Sequence, residues 1–169
     1  MTLGVDQFKS KLVGGGARPN LFQATVTYPG YAAGDVDLTS FMCKAAQLPA
    51  STIEALEVPF RGRQLQVVGD RTFEPWTVTI VNDTNFSIRN ALERWSNGMN
   101  EHVNNAGLAN PADYKADMLV TQLDRSGIGI KTYTFKGAFP TSIGAIDVSY
   151  ETTNEVEFTY DYWSSDTTS

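Results

Sequence analysis

The chain has 169 residues, 41% apolar and 19% charged, which fits one domain with a single sizeable core and excludes a disordered polyelectrolyte. Lys and Arg number 13 against 19 Asp and Glu, a formal charge of -6, which excludes a general nucleic-acid binder because phosphate affinity comes from clustered basic side chains. One cysteine (Cys43) and one histidine (His102) rule out an internal disulfide framework, a Cys-cluster zinc site and a paired-His metal site.

No run approaches the ~18 apolar residues of a membrane helix. Asp6, Lys9 and Lys11 break the apolar content of the first residues, so a signal peptide is not expected. Residues 1–17 read as an arm. Leu3, Val5, Phe8 and Leu12 fall near one face of a short helix, and Gly14-Gly15-Gly16 ends it as a hinge. A helix with so few turns is unstable alone and needs a surface to dock on.

Residues 21–28 alternate, with Phe22, Ala24, Val26 and Tyr28 on one face of a half-buried strand. Pro29-Gly30 opens a loop over 29–37, and a second strand is predicted over 40–47, with Phe41, Cys43 and Ala45 alternating against Met42, Lys44 and Ala46. Leu48-Pro49 ends it. The long connection that follows reads as a projecting hairpin over about 50–70: Ile53 to Val58 alternate, Phe60-Arg61-Gly62-Arg63 turns, Leu65 to Val68 returns, and Gly69-Asp70 closes it. So long a connection inside a small domain is either functional or disordered, and its apolar content argues against disorder.

Residues 75–81 form the clearest core strand, with Trp76, Val78 and Ile80 on one face. Asn82-Asp83-Thr84 caps a helix predicted from Asn85 to Asn97, with Ile88, Ala91, Leu92 and Trp95 at helical spacing and Gly98 as the residue past its end. Residues 100–113 are a polar surface loop. Strands follow at 117–123 and 130–136, a connector or short strand at 143–150, and a last strand at 154–163. That last strand sets Val156, Phe158, Tyr160 and Tyr162 against Glu155, Glu157, Thr159 and Asp161. Residues 164–169 read as a loose polar tail. The fold class is therefore mainly β: an antiparallel sandwich or barrel with one principal helix, spanning 18–163. Its core is expected at Phe22, Trp76, Val78, Ile80, Trp95, Phe158 and Tyr160.

No enzyme emerges from the residues. Gly127-Ile128-Gly129 lacks the third glycine and following helix of a nucleotide fingerprint and reads as a turn. Gly14-Gly15-Gly16 lacks the Lys-Ser/Thr of a phosphate loop. His102 has no nucleophile and orienting carboxylate arranged around it. Glu155 and Glu157 stand ~7 Å apart on one strand face, a spacing open to glycosidic carboxylates, but a solvated face explains them better. Cys43 reads as a small buried hydrophobe. What remains is assembly equipment on a β body: an arm, an apolar hairpin and a polar tail.

Several runs resemble the tail tube protein family of contractile-tailed bacteriophages, the T-even-like myoviruses in particular. They are Ala17-Arg18-Pro19-Asn20-Leu21-Phe22-Gln23, Cys43-Lys44-Ala45, and Gly69-Asp70-Arg71-Thr72-Phe73 followed by Trp76-Thr77-Val78-Thr79 and Asn82-Asp83. Pro111-Ala112-Asp113-Tyr114-Lys115, Asn154-Glu155 and Asp161-Tyr162-Trp163 complete the set. The resemblance spans nearly the whole chain in order. The loop at 29–37 and the tail after Trp163 are longer than the family pattern. The resemblance implies a barrel-like subunit of hexameric rings that stack into a tube inside a contractile sheath, with no catalytic, cofactor-binding or metal-binding residues. It implies as partners other copies of the chain, the tail sheath protein, and the baseplate hub, tape-measure and tail-terminator proteins. Genomic DNA would pass through the lumen without specific binding. The place of action would be the virion, after assembly in the host cytoplasm. The same fold serves secretion and contractile injection tubes, one alternative; a carbohydrate-binding β-sandwich module is the other. Expected contacts between subunits or rings are Val58, Phe60, Arg61, Arg63, Leu65, Val67, Asp70 and Arg71 of the hairpin, with Phe8 and Leu12 of the arm.

Overall fold

The computed structural model describes residues 4–12, 17–146 and 153–168. The expected Gly14-Gly15-Gly16 hinge, Leu3 and residues 147–150 lie outside them. Six strands pair antiparallel in one path: β1 (Phe22–Thr25), β6 (Ala116–Leu123), β7 (Gly129–Ile143), β8 (Thr153–Thr159), β5 (Trp76–Val81) and β2 (Cys43–Ala46), in that spatial order. β9 (Tyr162–Ser165) adds to β7 off this path. β3 (Ser51–Phe60) and β4 (Arg63–Phe73) pair only with each other. The helices are α1 (Val5–Lys11), α2 (Val36–Met42), α3 (Ser87–Met99) and the single turn α4 (Pro111–Tyr114).

β7 is the hinge of the architecture. Its first half pairs with β6 and β9, its second half with β8. Gly137, at φ 65, lies where the partners change. One long bent strand thus carries the chain from one layer to the other, as barrel-like sheets require. The interior between the layers is aromatic. Trp76 stacks on Phe135 with ring centroids 4.5 Å apart, and Phe158 lies 5.9 Å from Trp76. α3 closes the interior with Ile88, Leu92 and Trp95, all buried. Both buried indoles satisfy their N–H groups: Trp76 Nε1 donates to the Gln47 carbonyl and Trp95 Nε1 to the Tyr114 carbonyl, each at 2.7 Å.

Several expectations are corrected. The strand over 40–47 begins as helix α2, because Asp35 Oδ1 accepts from Leu38 N and starts a turn that alternation cannot register; Phe41 is consequently exposed. α3 begins at Ser87, whose N–H and hydroxyl both donate to the Asp83 carboxylate at 2.8 Å, and Gly98 lies inside the helix rather than past its end. A side chain there would run into the Tyr31 ring. The strand at 130–136 and the start of the connector at 143 are one strand, β7.

The last strand is broken after Thr159: Asp161 turns away to Lys115, and Tyr162 is half exposed instead of sharing the face of Val156, Phe158 and Tyr160. The polar tail starts later than expected, since Ser164 and Ser165 pair with β7 in β9 and Asp166 Oδ2 accepts from Thr132 N. Among the expected core residues, Trp76, Val78, Ile80, Trp95, Phe158 and Tyr160 are buried, while Phe22, on an edge strand, is only half-buried.

Candidate assembly surface

β3 and β4 form a ribbon of two strands with every residue from Ser51 to Val68 exposed. Ten residues at about 3.3 Å each give it a length of about 30 Å. Its tip is a two-residue turn with both central residues at positive φ, Arg61 at 46 and Gly62 at 79, the geometry that matches the twist of a hairpin and suits glycine. β4 does not stop at Gly69-Asp70 as expected from the sequence. It runs on to Phe73, and the register shifts between Ile53 and Ala55, with Gly69 and Asp70 making the bulge.

The register sorts the ribbon's side chains. Directly opposed residues share a face, so Leu56 with Val67, Val58 with Leu65, and Phe60 with Arg63 make one apolar face. Ala55 with Val68, Glu57 with Gln66 and Pro59 with Gln64 make the other, where Gln66 Nε2 donates to Glu57 Oε1 at 3.0 Å. Phe60 is 65% and Leu65 59% exposed. Four of the expected contact residues, Val58, Phe60, Leu65 and Val67, are thus brought onto one surface with Arg63 at its end. Arg61 sits at the tip with its guanidinium 5.5 Å from the Phe60 ring centre. Asp70 and Arg71 lie at the bulge near the base. Leu56 was missing from the sequence-based set although it alternates in phase with Val58. Phe8 belongs to α1 and Leu12 caps its C-terminal end; the helix buries no residue and exposes Val5 as well.

An isolated two-stranded ribbon is marginal in water, and a contiguous exposed apolar face marks an interaction site. The rest of the surface offers less. A cleft of about 640 Å³ beside α3 is lined by Arg89, Glu93, Arg94, His102 and Thr141. Arg89 is already committed there, donating to Glu93, to the Gly144 carbonyl and to Asn154 Oδ1, and Arg94 donates to the Ala32 carbonyl. Among the described residues no three His, Cys, Asp or Glu gather as metal ligands, and no helix is long and apolar enough to cross a membrane. Burial pushes the Cys43 thiol up to about 11, away from nucleophilic use.

A β body with a bare amphipathic ribbon is the anatomy of a subunit built to join other subunits. The chain belongs to the phage tail tube protein family, whose model matches residues 17–166. It is 35% identical over 153 residues to the tail tube protein gp19 of Enterobacteria phage T4, covering 87% of this chain and 90% of that one. To the tail tube protein of Serratia phage KSP90 it is 31% identical over 149 residues, covering 85% and 84%. The fold is shared more widely. A solved structure of the tube-terminating cap of the anti-feeding prophage superposes with a TM-score of 0.66 at 16% identity, over 89% of this chain and 91% of that one. The sheath–tube complex of an extracellular contractile injection system, in its extended state, gives 0.61 at 15% identity over 98% and 99%.

Proposed function

We propose that this tail tube protein assembles into six-membered rings that stack into the inner tube of a contractile phage tail, and that the apolar face of the β3–β4 ribbon is the contact between rings. The observation that carries the reading is the ribbon itself: Leu56, Val58, Phe60, Leu65 and Val67 on one uncovered face. Head-to-tail contacts close into rings when the rotation closes and extend into filaments when a second contact repeats along an axis. A projecting ribbon supplies that second contact. Arg61, Arg63, Asp70 and Arg71 rim it, and the α1 stripe with Phe8 and Leu12 reaches a neighbouring subunit.

In this reading the sheath protein surrounds the tube, and baseplate hub, tape-measure and terminator proteins set its start, length and end. Assembly takes place in the host cytoplasm. The tube carries DNA and catalyses nothing. A net charge of -6 per subunit, repeated around a ring, disfavours a channel that grips phosphates; short duplexes should bind tubes weakly, with a shallow salt dependence. A tube of a non-phage injection system shares the fold, but the closer sequence likeness to phage tail tubes favours the phage tail. The test is electron microscopy of the purified protein at high concentration with a baseplate seed. Stacked six-fold rings are expected; monomers alone would overturn the proposal.

A further inference from the structure

We infer that Tyr160 and Trp163 are positioning residues that set the angle of the ribbon to the body, so that the C-terminal strand decides where the ribbon's apolar face points. The ribbon meets the body through two short links, 47–50 and 74–75, each with a proline that stiffens it, Pro49 and Pro75. Both links are held by one short segment, residues 160–163. Trp163 Nε1 donates to the Ala50 carbonyl at 3.3 Å, where the chain enters β3. The Tyr160 hydroxyl donates to the Glu74 carbonyl at 2.7 Å, where it leaves β4. Between them Phe73, the last residue of β4, lies 6.1 Å from the Tyr160 ring and 6.5 Å from the Trp163 ring.

The two clamping residues are themselves anchored. Tyr160 is buried, edge-on to Phe135 at 4.8 Å. Trp163 pairs with Phe135 through the β7–β9 ladder and contacts Tyr133 at 5.4 Å. The clamp therefore refers the ribbon to β7, the strand that spans both layers. Leverage makes the angle matter. For a ribbon of about 30 Å, a rotation of about 10° at the base moves the tip by about 5 Å, more than the separation over which packed side chains keep their contacts. The break after Thr159 and the extra strand β9 bring Trp163 back to the ribbon's root.

The test separates orientation from folding. Spin labels on Gln64→Cys at the ribbon tip and Asn90→Cys on α3, in a Cys43→Ala background, report the tip-to-body distance in dilute protein. Tyr160→Phe keeps the ring and removes only the donor, while Trp163→Phe removes the donor and trims the indole to a single ring that still faces Phe73 and Tyr133. Each should broaden the distance distribution about twofold. In the unlabelled protein each should also raise the critical concentration for tube growth about five- to tenfold, the worth of about one hydrogen bond, with melting temperatures within about 4 °C of the parent. Distributions of unchanged width in both variants would overturn the inference. The assembly readout rests on the tube reading: if the wild-type chain forms no tubes, that reading falls, while the distance widths still decide whether the clamp exists.

Discussion

Replacing Leu65 by alanine tests the ribbon's role most directly, because its face can be compared with its back. Leu65 is 59% exposed in the single chain, so more than half of its side chain remains to be buried by a neighbour. Full burial of a leucine side chain is worth about 1.5–3 kcal/mol, which leaves about 1–2 kcal/mol for assembly. In the proposed tube each subunit added to a growing end makes one such contact with the ring beneath it. At 1.4 kcal/mol per factor of ten, the critical concentration for tube growth should rise about 5- to 30-fold in Leu65→Ala. Gln66 lies next in sequence on the opposite face and has only its exposed bond to Glu57 to lose. Gln66→Ala should shift the same quantity by no more than about twofold, as for an ordinary surface change of about 0.5 kcal/mol. Sedimentation of polymer across a concentration series measures both. Equal effects from the two positions, or none from Leu65, would refute the assignment of the apolar face to ring stacking. Urea unfolding of dilute protein is the control, and both variants should match the parent because neither side chain touches the core.

Trp76→Ala should cost about 3–5 kcal/mol, the range for a buried aromatic, towards its upper end because the Gln47 carbonyl also loses its indole donor; a loss under about 1 kcal/mol in urea unfolding would contradict the stacked core. Deleting residues 54–66 should leave a folded, soluble body that makes no tubes, and circular dichroism showing an unfolded body would place the ribbon in the core instead. The Cys43 thiol, raised by burial to about 11, should react with a thiol reagent at pH 8 about two orders of magnitude more slowly than a free cysteine of pKa about 8.5, from thiolate fraction alone. The Asp117 carboxyl is held low chiefly by its hydrogen bond from Lys136 Nζ at 2.7 Å. Its contribution is therefore full above the ordinary 3.8 and lost as pH falls through the lowered value; the stability gap between parent and Asp117→Asn should close on acidification in thermal melts.

Local periodicity made much of the fold readable. β5 alternates Trp76, Val78 and Ile80 inward because its inner face meets the packed interior while its outer face does not, and α3 shows its buried stripe for the same reason. The ribbon's alternation was equally visible, as were four of its five apolar face residues. What escaped was set by distant partners. α2 depends on one Asp35 cap, and a seven-residue segment is too short for its apolar period to outvote an accidental alternation. The break after Thr159 depends on Lys115 drawing Asp161 away, and β9 on pairing with Tyr133 to Lys136. The clamp joins Trp163 to Ala50, 113 positions apart, and Tyr160 to Glu74, 86 apart. Tyr160 was expected as core, which its ring is; nothing local marks its hydroxyl as a ribbon anchor.

The distribution of apolar surface argues that the single chain is one half of an interface rather than an end product. The body's aromatic interior is satisfied: Trp76 and Trp95 have acceptors for their N–H groups, and β9 pairs along β7. The path of strands nevertheless ends at β1 and β2, short edges of four residues each, and unpaired edges invite pairing with another chain. The ribbon and α1 leave apolar faces bare. A monomer selected to remain single would blunt such features with charge or cover them. Here charge gathers at the ends of the ribbon, at Arg61, Arg63, Asp70 and Arg71, and leaves the middle of one face apolar, with Glu57 and Gln66 on the other. That pattern, an apolar centre with a polar rim, is how a specific interface excludes water from its anchors. In the proposed assembly the edges join subunits around a ring and the ribbon joins rings along the tube. Both must close before the chain buries what its sequence leaves exposed.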